Sequence, residues 1–154
     1  MGSTPWADSL VSPNKMKSIF LGGSCGSTTW RKDEAIPLMV NKFAYFDPQV
    51  ENWTPDLVEV EAKNKEVADV LLFVVDSSTR AIATLIEVTE WIVSKKKTVL
   101  LVIKDIVDGT EISGQVVTGQ ELKDLNRSRV YLADVAKRHG VTIFTSIKDA
   151  IESL

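Results

Sequence analysis

The chain has 154 residues, 44% hydrophobic and 25% charged, with a formal net charge of -3. That is enough chain for one domain with its own core, and its longest basic run, Lys95-Lys96-Lys97, is too short for a nucleic-acid footprint. Cys25 is the only cysteine, so no intrachain disulfide can form, and the apolar runs are of strand length, far below the roughly 20 residues that cross a bilayer. A cytoplasmic, non-membrane protein is expected.

Residues 1–15 carry Ser, Pro and Gly without an apolar signal core and read as a flexible arm ahead of a single domain over 16–154. The first strand is expected over 18–21. A loop of small residues follows, Gly22-Gly23-Ser24-Cys25-Gly26-Ser27-Thr28-Thr29. Residues 30–42 then suit a helix capped by Thr28 or Thr29, with Pro37 kinking or shortening it. The second strand is 43–46, and 47–53 is a loop. Thr54-Pro55 pairs a cap with a proline at the first helical position, opening a helix to about Ala68.

The third strand is 70–75 and its helix 81–94. The fourth, 98–103, is aliphatic after its threonine and so buried on both faces. Residues 104–118 form a long polar connection containing Gly109 and Gly114, of the kind that serves as a lid or interface element. A helix over 119–139 ends at Gly140. The fifth strand is 141–144, and Ser146 caps a last helix to Leu154. Strands alternating with helices imply βαβ units. The expected fold is α/β, a flavodoxin-like three-layer sandwich whose five-stranded parallel sheet has the order 2-1-3-4-5, with a ligand crevice between strands 1 and 3.

Glu87 lies early in the helix after the third strand, beside the carboxyl end of the sheet. A half-buried carboxylate held there can attack a sugar carbon as a nucleophile. Glu61, on the preceding helix, either points over the strand ends or joins Lys63 and Lys65 in a solvated charge face. The first loop offers backbone N–H groups from Gly22, Gly23 and Ser24 and a run of hydroxyls, a candidate anion cradle or a glycine turn that lets strand pack on helix. Trp30-Arg31 follows. Its arginine either holds a carboxylate or phosphate bidentately or is an ordinary first-turn surface residue. Asp47 and Trp53 lie after the second strand. The tryptophan either stacks on a planar base or anchors its loop to the core. Asp76, ending the third strand, either bonds ligand hydroxyls or caps the Ser77-Ser78-Thr79 turn. One Cys and one His are too few for a zinc site, and neither metal nor cofactor is expected.

The succession Ile19-Phe20-Leu21-Gly22-Gly23-Ser24, Trp30-Arg31, Asp47-Pro48 with Trp53, Asp69 to Val74 and Ile86-Glu87 resembles the nucleoside 2-deoxyribosyltransferase-like family, and within it an uncharacterised branch. Leu125-Asn126-Arg127-Ser128-Arg129 also looks like that branch. The resemblance implies retaining N-glycosyl chemistry, in which Glu87 attacks C1′ and the base leaves a covalent deoxyribosyl-enzyme. It places Glu61 where the family has a base-contacting aspartate. It also puts Ala81 where a sugar-binding acid or serine stands, and Phe20 where a tyrosine is common. The expected partner is a small nucleoside or nucleotide, the hydroxyl-rich first loop favouring a 5′-phosphorylated one, and the expected assembly is a homo-oligomer. The departures at Ala81 and Phe20 keep a second reading open, a non-catalytic module that binds a nucleotide or sugar phosphate on the same fold.

Overall fold

The computed structural model describes residues 16–154, and the expectation of an arm over 1–15 lies outside the described residues. Strands β1 (Ser18–Gly23), β2 (Ala44–Phe46), β3 (Val70–Val75) and β4 (Thr98–Ile103) are joined by β7 (Ile143–Phe144) in a sheet of order β2-β1-β3-β4-β7. Every neighbouring pair is parallel. This is the expected 2-1-3-4-5 order and a three-layer α/β sandwich, consistent with a flavodoxin-like fold.

The alternation along β1 and β3 sorts the core into two halves. Ile19, Leu21, Leu72 and Val74 meet Trp30, Met39, Ile147 and Ile151 on one face. Phe20, Leu71, Phe73 and Val75 meet Val88, Ile92 and Leu132 on the other. The second half is covered by α3 (Ile82–Ser94) and α4 (Gly119–Arg138), with Lys65 of α2 (Leu57–Val67) over the Phe20 ring, and the first by α1 (Ile36–Met39) and α5 (Ile147–Glu152).

The first helix is shorter than its expected 30–42 span and opens with a π-helical turn, Arg31–Ala35, before α1. The Ile36 N–H bonds to the Arg31 carbonyl five residues back. Pro37 has no N–H to offer the preceding turn, which widens. Gly140 has a φ of +73°, the left-handed geometry of a helix C′ residue, and Ser146 accepts from the Asp149 N–H as a cap.

The connection over 104–118 contains secondary structure that the sequence reading did not resolve. β5 (Thr110–Ile112) and β6 (Gln115–Val117) form an antiparallel hairpin. Ser113 and Gly114 both have positive φ, as a two-residue hairpin turn requires. Ile112 and Val117 pack with Ile106 and Leu125 in a small core of their own. Two leucines of α4 are likewise turned inward, Leu125 into this cluster and Leu132 onto the sheet.

Candidate functional site

At the carboxyl ends of β1 and β3, the chain leaves the sheet through two loops. Gly22 is buried against the Phe73 ring, where a Cβ would come within 2.5 Å of ring carbon. Gly23, with φ at +142°, passes so close to β3 that a Cβ would lie 2.7 Å from the Val74 carbonyl oxygen. These glycines set the separation of strand and loop.

Arg31 is completely buried. Its guanidinium donates to the carbonyls of Leu21 (3.0 Å), Ser24 (3.0 Å) and Gly23 (2.8 Å) and to Gln49 Oε1 (3.2 Å). It stacks 4.5 Å from the Trp30 ring centroid, and Asp47 Oδ1 lies 3.7 Å from Nε. Burial pushes its pKa down, and the carboxylates of Asp47 and Asp76 oppose the shift. The surface alternative for Arg31 is therefore wrong: a planar fork of donors holds the loop from inside. Gln49, absent from the sequence reading, completes the brace by donating from Nε2 to the carbonyls of Cys25 (3.2 Å) and Thr28 (2.9 Å). Burial also pushes the Cys25 thiol above its ordinary range, which keeps it a thiol rather than a thiolate.

Asp76 is buried and saturated by hydroxyls. Thr28 Oγ1 and Ser78 Oγ donate to Oδ2, the latter at 2.8 Å, and Thr79 Oγ1 donates to Oδ1 at 2.7 Å. It caps its own turn and ties that turn to the first loop. Arg129, buried on α4, fixes the same turn by donating to the carbonyls of Asp76 (2.9 Å), Thr79 (3.0 Å) and Lys104 (2.9 Å). Burial lowers its pKa, against the pull of Asp105 and Asp76.

Glu87 sits one turn into α3, with its side chain 39% exposed. Lys65 Nζ forms an ion pair with its Oε2. Lys65 is itself buried and lies 5.6 Å from the centroid of Phe20, which stacks on Phe46. The charge-face expectation therefore fails at this residue. Lys63 is solvated and pairs with Glu59, whereas Lys65, four residues after Glu61, faces inward with it. Glu61 is half-buried. Burial raises its carboxyl pKa and the Glu87 charge adds to the rise, against Lys65, a hydrogen bond from Trp53, and Arg31. Trp53 is 54% exposed and so does not anchor its loop in the core. Ser24 Oγ meets Thr84 Oγ1 at 3.3 Å, which links the first loop to the turn of α3 that precedes Glu87. Ala81, at the head of α3, is buried with φ at +62°.

The sequence-predicted residues thus fall into two groups. Glu87 and Glu61 lie near Lys65, Trp53 lies beside Glu61, and Ser24 is tied through Thr84 to the helix that carries Glu87. Gly22, Gly23, Trp30, Arg31, Asp47 and Asp76 build and brace the two loops. The order of these features along β1 to β4 is a family pattern. The profile of the family described as nucleoside 2-deoxyribosyltransferase like matches residues 16–106. The chain belongs to that family. No curated protein matches the sequence. The matched segment carries both carboxylates and both loops, and ends at Ile106, before the hairpin and α4. Among the described residues no helix is long and apolar enough to cross a membrane, and no group of His, Cys, Asp or Glu is arranged to hold a metal ion.

Proposed function

We propose that this member of the family transfers or hydrolyses the N-glycosyl bond of a nucleoside or its 5′-monophosphate, with Glu87 as nucleophile. The observation that carries this reading is the unlike treatment of two neighbouring carboxyls. Lys65 holds Glu87 Oε2, leaving Oε1 without a hydrogen bond among the described residues, while burial and the Glu87 charge favour a proton on Glu61. A pair of carboxyls with environments pushed apart is the arrangement that divides nucleophile from acid.

In this scheme Glu87 Oε1 attacks the anomeric carbon as the bond from that carbon to the base nitrogen breaks. Glu61 gives its proton to the departing base, directly or through water. The product is a glycosyl ester on Glu87 and a Glu61 carboxylate. Water or a second base then attacks the same carbon, Glu61 takes up the proton, and Glu87 leaves as a carboxylate. Trp53, half-open to solvent and hydrogen-bonded to Glu61, is suited to stack on the base. Arg31 and Asp76 act as positioning residues, because their polar atoms are taken up within the fold.

Incubation with deoxynucleosides and their monophosphates tests the proposal. A deoxyribosyl adduct in the intact mass and free base by chromatography are expected, and neither appears with Glu87→Ala.

The second reading is a binding module without turnover. The Lys65 pairing favours it, since a carboxylate engaged by an ammonium is a weaker nucleophile, as does the absence of a polar side chain at Ala81. Calorimetric binding of the same compounds without base release would select it. We further propose self-association, supported by the exposed Ile82 and Ile86 on α3 beside Glu87. Sedimentation of the Ile86→Lys variant checks it, with a smaller species expected than for the parent chain.

A further inference from the structure

We infer that Arg80 is a positioning residue for Glu87. Through it the β5–β6 hairpin and α4 hold the turn from which α3 sets out. The catalytic consequence rests on Glu87 being the nucleophile; the clamp itself does not.

The backbone at the head of α3 is in an unfavourable conformation. Ala81 has φ +62° and ψ +27°, the left-handed region that a Cβ disfavours, and it is buried. Its carbonyl accepts from the Leu85 N–H at 3.0 Å, a bond of the first helical turn. Such a residue persists only where its surroundings hold it. Its neighbour Arg80 is held at both ends. Nε donates to Glu121 Oε2 at 2.9 Å and Nη2 to Gln115 Oε1 at 3.1 Å. The Arg80 carbonyl accepts from Arg129 Nη1 at 3.5 Å. Arg129 is buried and binds the carbonyls of Asp76 and Thr79 in the same turn. Gln115 belongs to the hairpin, and Glu121 and Arg129 to α4.

The residues that α3 buries are Thr84, Val88 and Ile92. Val88 and Ile92 pack in the core half over Phe20 and fix the helix beyond Glu87. Ahead of Glu87 the grip is weaker. Leu85 is partly buried, and the Thr84 hydroxyl meets Ser24 Oγ at 3.3 Å. The course of the first two turns, and with it the carboxylate, therefore depends on Ala81 and on what holds Arg80. All three partners of Arg80 lie beyond residue 106, outside the residues that the family profile matches. The connection over 104–118 thus acts on the Glu87 helix through its docking on Arg80.

Amide hydrogen exchange of the full chain tests the clamp independently of turnover. Arg80→Ala and Glu121→Ala should each speed exchange of the Leu85 amide about threefold, and the double variant no further. Glu121→Gln, which keeps an acceptor oxygen for Arg80, should restore most of the protection. The amides of Leu72 and Leu101 in the central strands should not change. The same two single variants should lower kcat for base release about tenfold with KM unchanged, because a small displacement of a nucleophile slows attack more than it weakens binding. Unaltered Leu85 exchange, an equal rise in the strand amides, additive effects in the double variant, or base release at the parental rate would each overturn the inference. A parent chain that releases no base would remove the nucleophile reading of Glu87, and the exchange results would still decide the clamp.

Discussion

Lys65 on α2 ion-pairs with Glu87 on α3, and it does so from a buried position over the Phe20 ring. The first strand offers an aromatic face at Phe20, and the face supports an ammonium that reaches the carboxylate. The fold thus orients Glu87 from the neighbouring helix rather than from the sheet.

Glu87→Gln should abolish both adduct formation and base release, by about a thousandfold or more, because removing a covalent nucleophile leaves only binding and acid assistance. It should also lower stability by about 1 kcal/mol, since Lys65 loses its partner and Glu87 is exposed enough for water to screen the pair. Intact mass and urea unfolding read the two effects separately.

Lys65→Met keeps the length of the side chain and its contact with Phe20 but removes the charge. Without the ammonium, Glu87 Oε2 loses the contact that fixes its side chain. Base release should therefore fall about tenfold, while urea unfolding at pH 7 changes little, as often happens when a buried ionic partner becomes apolar. Unchanged base release would show that Lys65 does not position the nucleophile.

In the proposed scheme Glu61 governs the alkaline limb of base release. Its pKa is raised above the ordinary 4.5, by burial first and Glu87 second, so it retains its proton to higher pH than a solvated glutamate. Base release that needs this proton should fall as pH rises through the folded-state value, and Glu61→Gln should remove that limb. The stability sign follows from the same shift. The folded state binds this proton more tightly than the unfolded chain. The contribution of the neutral form is therefore complete below the unfolded value and lost as pH rises through the folded one. Glu61→Gln should unfold at higher urea than the parent chain at pH 7, with the advantage gone near pH 4.

Arg31→Lys is not a conservative change here. Lysine cannot reach Leu21, Gly23, Ser24 and Gln49 with one fork, and the buried carbonyls it abandons should cost about 2–4 kcal/mol in urea unfolding. Gly23→Ala should lower stability by about 1–3 kcal/mol, because the added Cβ meets the Val74 carbonyl at 2.7 Å and the φ of +142° is strained for any other residue. Both variants should lose activity together with the ordered loop.

Strand order, helix positions and the placement of Glu87 beside the sheet were legible in the chain itself. They follow from local rules: aliphatic runs of strand length at 70–75 and 98–103, and a helical stretch beginning just past the strand end. The hairpin at Thr110–Val117 was less legible, because its strands are three residues each and its only local mark is Ser113-Gly114. Long-range partnership belonged to the tertiary structure alone. Nothing near Arg31 in sequence says that its donors turn back onto β1, and nothing near Lys65 says that a carboxylate twenty-two residues away will meet it. The Glu61–Lys65 spacing hinted at a shared face but not at which face turns inward. That choice depends on which side chains the sheet and neighbouring helices leave room to bury, a property of packing rather than of period.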